Sequence, residues 1–492
     1  MEISVISMTL LKAIGFAIAV IFIQNLINLY KHLRELPPGP YGIPILGYLP
    51  WIDPKTPHTT LTDLAKRYGK IYSLKFGSLT TVVLSDPALI RQAFAKDVFS
   101  GRADLFVTHG IMDGYGLIAA QGEVWKEQRR FAVATLKNLG MVKHGAKREE
   151  LEKRIMVGKL RTLEGEAVEI THLLFHSIGN VMNSLVLGKV WSEDDPTWIW
   201  LQDRIEEGVK MMQVAGPINF IPWLRFIPKY RQTIEFLISG KNETHEVYEK
   251  IVQESPRDNQ DFVSAYKVEM EKRQNSATPH FFNKKQCHHF LADILGGGTD
   301  TTATSLRWFF LLLLTHPEVQ EKIQRELDEI RGRHENMELS DMEQTHYFKA
   351  AFAESLRIRP IVTVGIPHAT MADTTLANFQ IPKRSMIIPL LWAINMDPEL
   401  WSRPEMFRPE RFIDSKGQFS KPDHFMPFQV GKRMCPGDEL SRMMTFLFCT
   451  NILHKYQLTS PNSKQELDDA FQGECGLLYL PKKYLIFFQL RS

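Results

Sequence analysis

One stretch limits the fold more than any other. From about Lys285 to Thr315 the chain reads as one long helix, apolar on nearly every side and ended by His316-Pro317. A helix with a single apolar stripe lies on a surface, whereas one that is apolar all round must be covered all round. Proline cannot continue a helix ladder, which sets the stop. Such a helix needs a helical body around it, and the sequence supplies one. Helical periodicity begins beyond Gly122, with stretches from Glu123, Arg148, Ile170 and Thr197. A charged helix runs to Arg333, another carries Glu354 and Arg357, and the last runs from about Asp438 to Lys455. The polar run from Glu254 to Gln286 reads as exposed turns with a short helix. Strand signals are few: residues 71–76 and 80–84 around Gly77-Ser78, a strand-and-turn region from Ile361 to Pro389, and a strand-rich tail. The expected class is mainly α with a minor β-sheet region.

The chain has 492 residues, 44% of them hydrophobic and 23% charged. This balance suits a large buried core and argues against disorder. A net charge of +3 gives no reason to expect nucleic acid as a partner. The four cysteines, Cys287, Cys435, Cys449 and Cys475, form no CxxC pair. That excludes a disulfide framework or zinc ribbon and suits a reducing compartment. In Cys287-His288-His289 the neighbouring side chains converge poorly on one ion, so a metal site is not expected there.

The first residues are mostly apolar to Tyr30, with an unbroken run from Ala13 to Ile23. With Lys12 snorkelling, the stretch is long enough to span a bilayer, which takes roughly 20 residues. Lys31, His32 and Arg34 follow and place the remainder on the cytoplasmic side. A cleaved signal peptide is the alternative, but Glu2 and the absence of a small-residue cleavage site weigh against it. Pro37-Pro38-Gly39-Pro40 then forms a stiff extended spacer. The expected organisation is an anchor over 1–30, a basic and proline-rich hinge over 31–50, and one catalytic domain over 51–492. Between Val214 and Pro228, the proline-broken apolar stretch reads equally as core or as a segment dipping into lipid.

The chemistry concentrates in Phe428-Gln429-Val430-Gly431-Lys432-Arg433-Met434-Cys435-Pro436-Gly437. A cysteine sits there in a glycine-bounded loop leading into a helix. Backbone amides and the helix N-terminus favour a thiolate, and Arg433 offers a cation. Read alone, a single cysteine is more often structural. Mid-way along the long helix lies Gly297-Gly298-Thr299-Asp300-Thr301-Thr302. A buried acid beside an alcohol can relay protons; threonines bonding back to the helix backbone can equally mark a kink.

The cysteine segment fits the cytochrome P450 signature F-x-x-G-x-R-x-C-x-G at every fixed position. The resemblance extends over nearly the whole chain, in order, and is to the microsomal branch that hydroxylates steroids and other lipophiles. It implies haem b (iron protoporphyrin IX) held between the long helix and the loop, with Cys435 as the iron's axial thiolate, a ligand that favours O–O cleavage. Phe428 and Gly437 belong to the same cradle. The resemblance makes Thr301 the residue that donates or orders protons and Asp300 the one that feeds it. Trp125 and Arg129, four apart on one helix face, would hold a propionate with Arg102, His368 and Arg433; an ordinary turn histidine explains His368 as well. Glu354 and Arg357 form E-x-x-R and would lock onto Arg411, a structural role. Lys126, Arg130, Lys137 and Lys432 would face NADPH–cytochrome P450 reductase or cytochrome b5, unless they are only a solvated basic surface.

The implied reaction is monooxygenation of a lipophilic substrate with O2 and NADPH-derived electrons, at the endoplasmic reticulum membrane. Phe106, Ile111, Val214, Ile294, Val364 and Leu477 would be among the apolar residues lining the substrate, although a packed core would look the same. The cysteine segment is similar to that of arthropod ecdysteroid hydroxylases, the side-chain 25-hydroxylase in particular. The alternatives are a haem-thiolate isomerase or dehydratase acting on a peroxide, a general xenobiotic hydroxylase, and a non-catalytic haem sensor or lipid carrier. Gln429 and Gly297 stand where smaller residues and alanine, respectively, are commoner.

Overall fold

The computed structural model describes residues 35–141, 165–274, 279–333 and 335–491, together with Val20, Glu149 and Glu152. The expected anchor (apart from Val20), the basic cluster after it and most of the helical stretch from Arg148 lie outside the described residues. Seven helices carry the body: α1 (Gly122–Asn138), α2 (Ile170–Leu187), α3 (Pro196–Met211), α4 (Pro228–Glu254), α5 (Lys284–Thr315), α6 (His346–Ile358) and α7 (Asp438–Lys455). The long apolar helix is α5, 32 residues, begun by the Asn283 side chain accepting from Gln286 N and stopped before Pro317. Every residue from Thr302 to Leu313 is buried. Helices α2, α3, α4, α6 and α7 all pack on it, α2 most extensively. The short helix expected within the polar run is Phe262–Gln274, 13 residues long, and it buries Phe262, Val263, Tyr266 and Met270. Its apolar residues recur three and four apart, so one face enters the core although the segment is polar on average.

The minor sheet sits to one side. Its strands are β1 (Ile71–Phe76), β2 (Leu79–Leu84), β3 (Gly101–Arg102), β4 (His368–Ala369) and β5 (Met386–Pro389), in the spatial order β1-β2-β5-β4-β3. β1 and β2 form an antiparallel hairpin, and β2 and β5 run parallel. The short β3–β4 pairing sets Arg102 directly opposite His368. The ambiguous stretch after Val214 divides between the two readings. Phe220, Ile221 and Leu224 are buried, while Trp223, Phe226 and Ile227 are exposed. Among the described residues no helix is long and apolar enough to cross a membrane.

A buried ion cluster ties α6 to the segment before the cysteine loop. Glu354 receives both Nε and Nη2 of Arg357, at 2.7 and 2.8 Å, Nε of Arg411 at 3.1 Å, and the Arg408 amide at 2.9 Å. Arg357 also donates to Asn395 O, and Arg411 to Ser402 O and Arg403 O. Glu354 and Arg357 are wholly buried. Removing one member of such a group leaves the others charged and dry, at a cost of about 3–5 kcal/mol. Glu354→Ala is expected to lower unfolding stability by that amount. In denaturant titrations the half-exposed Glu410→Ala should stay within about 1 kcal/mol of the parent.

Candidate functional site

The loop from Phe428 to Gly437 is built by its own backbone. Gln429 N donates to Met426 O, Met434 N to Gly431 O, and Cys435 N to Phe428 O at 3.0 Å. Gly431 has φ +79, and a Cβ there would lie 2.2 Å from Phe94 O, so only glycine lets the loop approach this closely. Arg442 lies 5.1 Å over the Phe428 ring. Gly437, the residue capping α7, donates its N–H to Cys435 Sγ at 3.4 Å. Cys435 is half-buried, while Cys287, Cys449 and Cys475 are buried. Cys475 sits between His58 Nδ1 and Thr363 Oγ1, and burial pushes its thiol up to about 12.

Two expectations about this loop need correction. Burial raises the Cys435 thiol above its ordinary range, outweighing the Gly437 amide and the Arg129 guanidinium, while Asp438 pushes the same way as burial. The protein alone therefore favours the thiol, and a thiolate needs a stronger cation at sulfur. Nor does Arg433 supply the nearby charge: Arg129 does, and its guanidinium also donates to Met434 O.

Arg433 points into the protein. It donates to Ser100 O at 2.8 Å, Ala120 O at 2.6 Å, and Leu117 O and Ile118 O at 3.4 Å. Its guanidinium lies 4.1 Å from the Trp125 ring centre. Arg102 donates to Ile118 O at 2.9 Å, Ile366 O at 3.3 Å and Pro367 O at 3.4 Å. Both are buried. Burial, then the neighbouring guanidiniums, pulls Arg433 down to about 7; burial, then Arg129, pulls Arg102 down to about 9. No carboxylate bonds to either guanidinium among the described residues; Asp293 is the one acid whose charge favours Arg102. Trp125 is buried, and its indole N–H has no hydrogen-bond partner. Buried cations that lack a bonded counter-ion, beside an indole donor without an acceptor, make a cradle for an anionic group. The donor set fits a haem, whose propionates would meet Arg102, Trp125, Arg129 and Arg433 and whose iron would meet Cys435.

His368 belongs to the cradle differently from the expectation. It stacks on Phe94, with 3.7 Å between ring centres. Its Nδ1 lies 2.8 Å from Phe99 O, and its Nε2 faces Gln429 Oε1 at 3.4 Å. Burial, with Arg102 and Arg433 adding to it, holds the ring neutral. Both ring nitrogens face acceptors, Phe99 O and Gln429 Oε1, so the neutral ring can donate to only one of them. His368 thus supports the loop as a spacer.

On α5 the helix is continuous through the glycines. Thr301 Oγ1 donates to Gly297 O at 2.5 Å, the back-bonding foreseen as one reading. A Cβ at Gly296 or Gly297 would meet nothing within 4 Å, so this face of a buried helix borders open space. Asp300 is buried, and burial and the charge of Glu206 on α3 raise its carboxyl well above the usual range. Of the expected lining residues, Ile111 and Val364 are buried; Phe106, Val214, Ile294 and Leu477 are partly so. On the surface, Lys126 pairs with Glu123 and Lys432 with Asp97, while Arg130 and Lys137 are exposed.

One buried acid escaped the sequence reading. Asp293, on α5, accepts the amides of Leu117 and Ile118 at 2.6 and 2.7 Å through the same Oδ2. Its signal was visible: an acid inside Phe290-Leu291-Ala292-Asp293-Ile294-Leu295. Burial pushes its carboxyl from 3.8 up to about 7, against the pull of the two amides and Arg102. Below the lower value both folded and unfolded chains hold the proton. Between the two values only the folded chain holds it, so rising pH favours unfolding until ionisation is complete. Over that window the parent is expected to lose stability on the order of 4 kcal/mol relative to Asp293→Asn. Urea melts at about pH 5 and about pH 8 would read roughly 3 kcal/mol of this loss, and a constant gap would show the carboxyl already ionised in the fold.

Comparison with known proteins agrees with this geometry. The cytochrome P450 family model matches residues 37–488. Cytochrome P450 306a1 of Drosophila melanogaster is 37% identical, covering 92% of this chain and 88% of its own length. Cytochrome P450 18a1 of the same fly is 32% identical over 98% of this chain and 92% of its own length. Cytochrome P450 2B4 of Oryctolagus cuniculus is 32% identical over 93% and 94%. On these matches the chain belongs to the cytochrome P450 family of haem-thiolate oxidoreductases, which are generally monooxygenases.

Proposed function

We propose that this chain hydroxylates a lipophilic substrate of sterol type, with Cys435 as the axial ligand of haem b and electrons drawn from NADPH through a reductase. The observation that carries the reading is the joint placement of Cys435 and the cluster of Arg102, Trp125, Arg129 and Arg433. A single cofactor bearing both a thiophilic metal and carboxylates answers both. Bound haem would supply the activation of O2, one atom entering a C–H bond and the other leaving as water with two electrons and two protons.

The chain's own residues divide the remaining work. The arginines and the Trp125 N–H would hold the propionates, and Gly437 N–H donates to the ligand sulfur. Asp300, whose carboxyl burial raises well above the usual range, would feed protons to Thr301 from inside the helix wall. Thr301 has its hydroxyl proton on Gly297 O, so its oxygen is free to accept. It would order a proton donor by accepting from it, which narrows the two roles expected of it. The apolar lining supports a lipophile, and the resemblance of the cysteine segment to ecdysteroid hydroxylases supports a steroid.

Exposed Trp223, Phe226 and Ile227 adjoin the cluster that also packs residues 46–52, where Tyr41, Ile43, Ile45 and Trp51 are exposed nearby. These apolar and aromatic side chains support a body seated on the endoplasmic reticulum membrane behind an N-terminal anchor, with the catalytic domain cytoplasmic. Arg130 and Lys137 support docking of an acidic reductase.

The reduced carbon-monoxide complex is expected to absorb at about 450 nm, and Cys435→Ser should lose that band while Cys475→Ser keeps it. Thr301→Ala should keep the band but lower NADPH-dependent product about 100-fold. Sterols should give larger substrate-induced spectral shifts than general lipophiles. Turnover of a peroxide without reductase, with no reductase-dependent product from any lipophile, would favour the isomerase reading.

A further inference from the structure

Four polar residues of α5, Lys285, Gln286, His289 and Asp293, share one helix face and meet the loop 113–118. Lys285 Nζ lies 3.3 Å from Asp113 and 4.6 Å from the Tyr115 ring centre, and His289 stacks on Tyr115. Gln286 clamps Gly116 from both sides, accepting from its N–H at 3.2 Å and donating to its C=O at 3.0 Å. Asp293 ends the row by receiving the Leu117 and Ile118 amides. Gly116 has φ +77, and a Cβ on it would lie 2.3 Å from Asp293 Oδ2, so the contact is built to this closeness.

The carbonyls of those same residues point the other way. Ile118 O receives Arg102 Nε at 2.9 Å, and both Leu117 O and Ile118 O receive Arg433. Two residues therefore connect an acid on the central helix to the two most buried guanidiniums of the cradle. We propose that Asp293 is a positioning residue for haem retention: it fixes residues 117 and 118, and through their carbonyls sets Arg102 and Arg433 where they receive the propionates. The inference rests on the haem cradle proposed above. Asp293 touches no part of the cofactor in this account and acts only through the loop. Its coulombic effect on Arg102 is in the same direction, since it favours the charged guanidinium.

Because both amides bond to one oxygen, an amide side chain can replace the carboxyl. Asparagine offers an oxygen with two lone pairs, whereas alanine offers nothing. In the haem-loaded full-length protein, Asp293→Ala is expected to transfer haem to apomyoglobin at least about tenfold faster than the parent, while Asp293→Asn stays within about twofold. Hydrogen exchange should show the Leu117 and Ile118 amides protected in the parent and in Asp293→Asn, and released in Asp293→Ala. Parent-like haem transfer by Asp293→Ala overturns the proposal. An Arg102→Gln, Arg433→Gln double variant separates the two readings. If it loses haem quickly while Asp293→Ala does not, the cradle stands and the positioning role falls; if neither loses haem, the cradle falls as well. Should Asp293→Ala fail to fold, the parent decides: Leu117 and Ile118 amides that exchange as fast as those of an unstructured peptide overturn the proposal.

Discussion

Covering a helix that is apolar on every side is the constraint from which the architecture follows. A 32-residue helix of this kind exceeds what one partner can bury, so α2, α3, α4, α6 and α7 surround it. Burial in turn restricts what polar groups α5 can carry. Each must find a partner inside the protein or remain neutral. Arg307 donates to Pro481 O and Trp308 Nε1 to Tyr479 O, which ties the tail to the helix. Gln286 and Asp293 take the backbone of the loop before α1. Thr301 and Ser305 bond back to the helix itself, and burial holds the Asp300 carboxyl well above the usual carboxylate range. The helix thus organises the catalytic face by the few polar residues it tolerates.

The parts that sequence made legible are those whose partners lie at fixed spacing or in fixed order. Glu354 and Arg357 are three apart on α6, and Arg411 lies in a motif between them and the loop, so the family resemblance made the buried cluster readable before any geometry was known. The hairpin at Gly77-Ser78 and the stop at His316-Pro317 are equally local. The direction of a side chain leaving a loop is not. Arg433 and Arg129 both lie near Cys435 in principle; which one faces sulfur depends on how the loop folds over Ser100 and Ala120. His368 shows the same limit: its exchange with Phe99 O follows from a two-residue strand pairing that no periodicity signals. The helix Phe262–Gln274 was expected, but its burial was not, because the segment is polar on average.

The site's electrostatics are unfinished in the chain alone. Burial drives Cys435 toward the neutral thiol and weakens Arg102 and Arg433 as cations. Neither half suits itself: the sulfur lacks positive charge while the guanidiniums lack negative charge. They do not neutralise one another, because Arg433 donates instead to the carbonyls of Ser100 and Ala120. A ligand that is cationic where it meets sulfur and anionic where it meets the arginines relieves both penalties at once. The same burial that makes each group unfavourable on its own therefore makes their shared ligand more strongly held, since charge pairs gain most where water is excluded. Binding free energy of that kind adds directly to folding stability. Loop, cradle and central helix are on this view one cooperative unit, and Asp293 lies at the junction where the helix's packing requirement becomes the cofactor's electrostatic one.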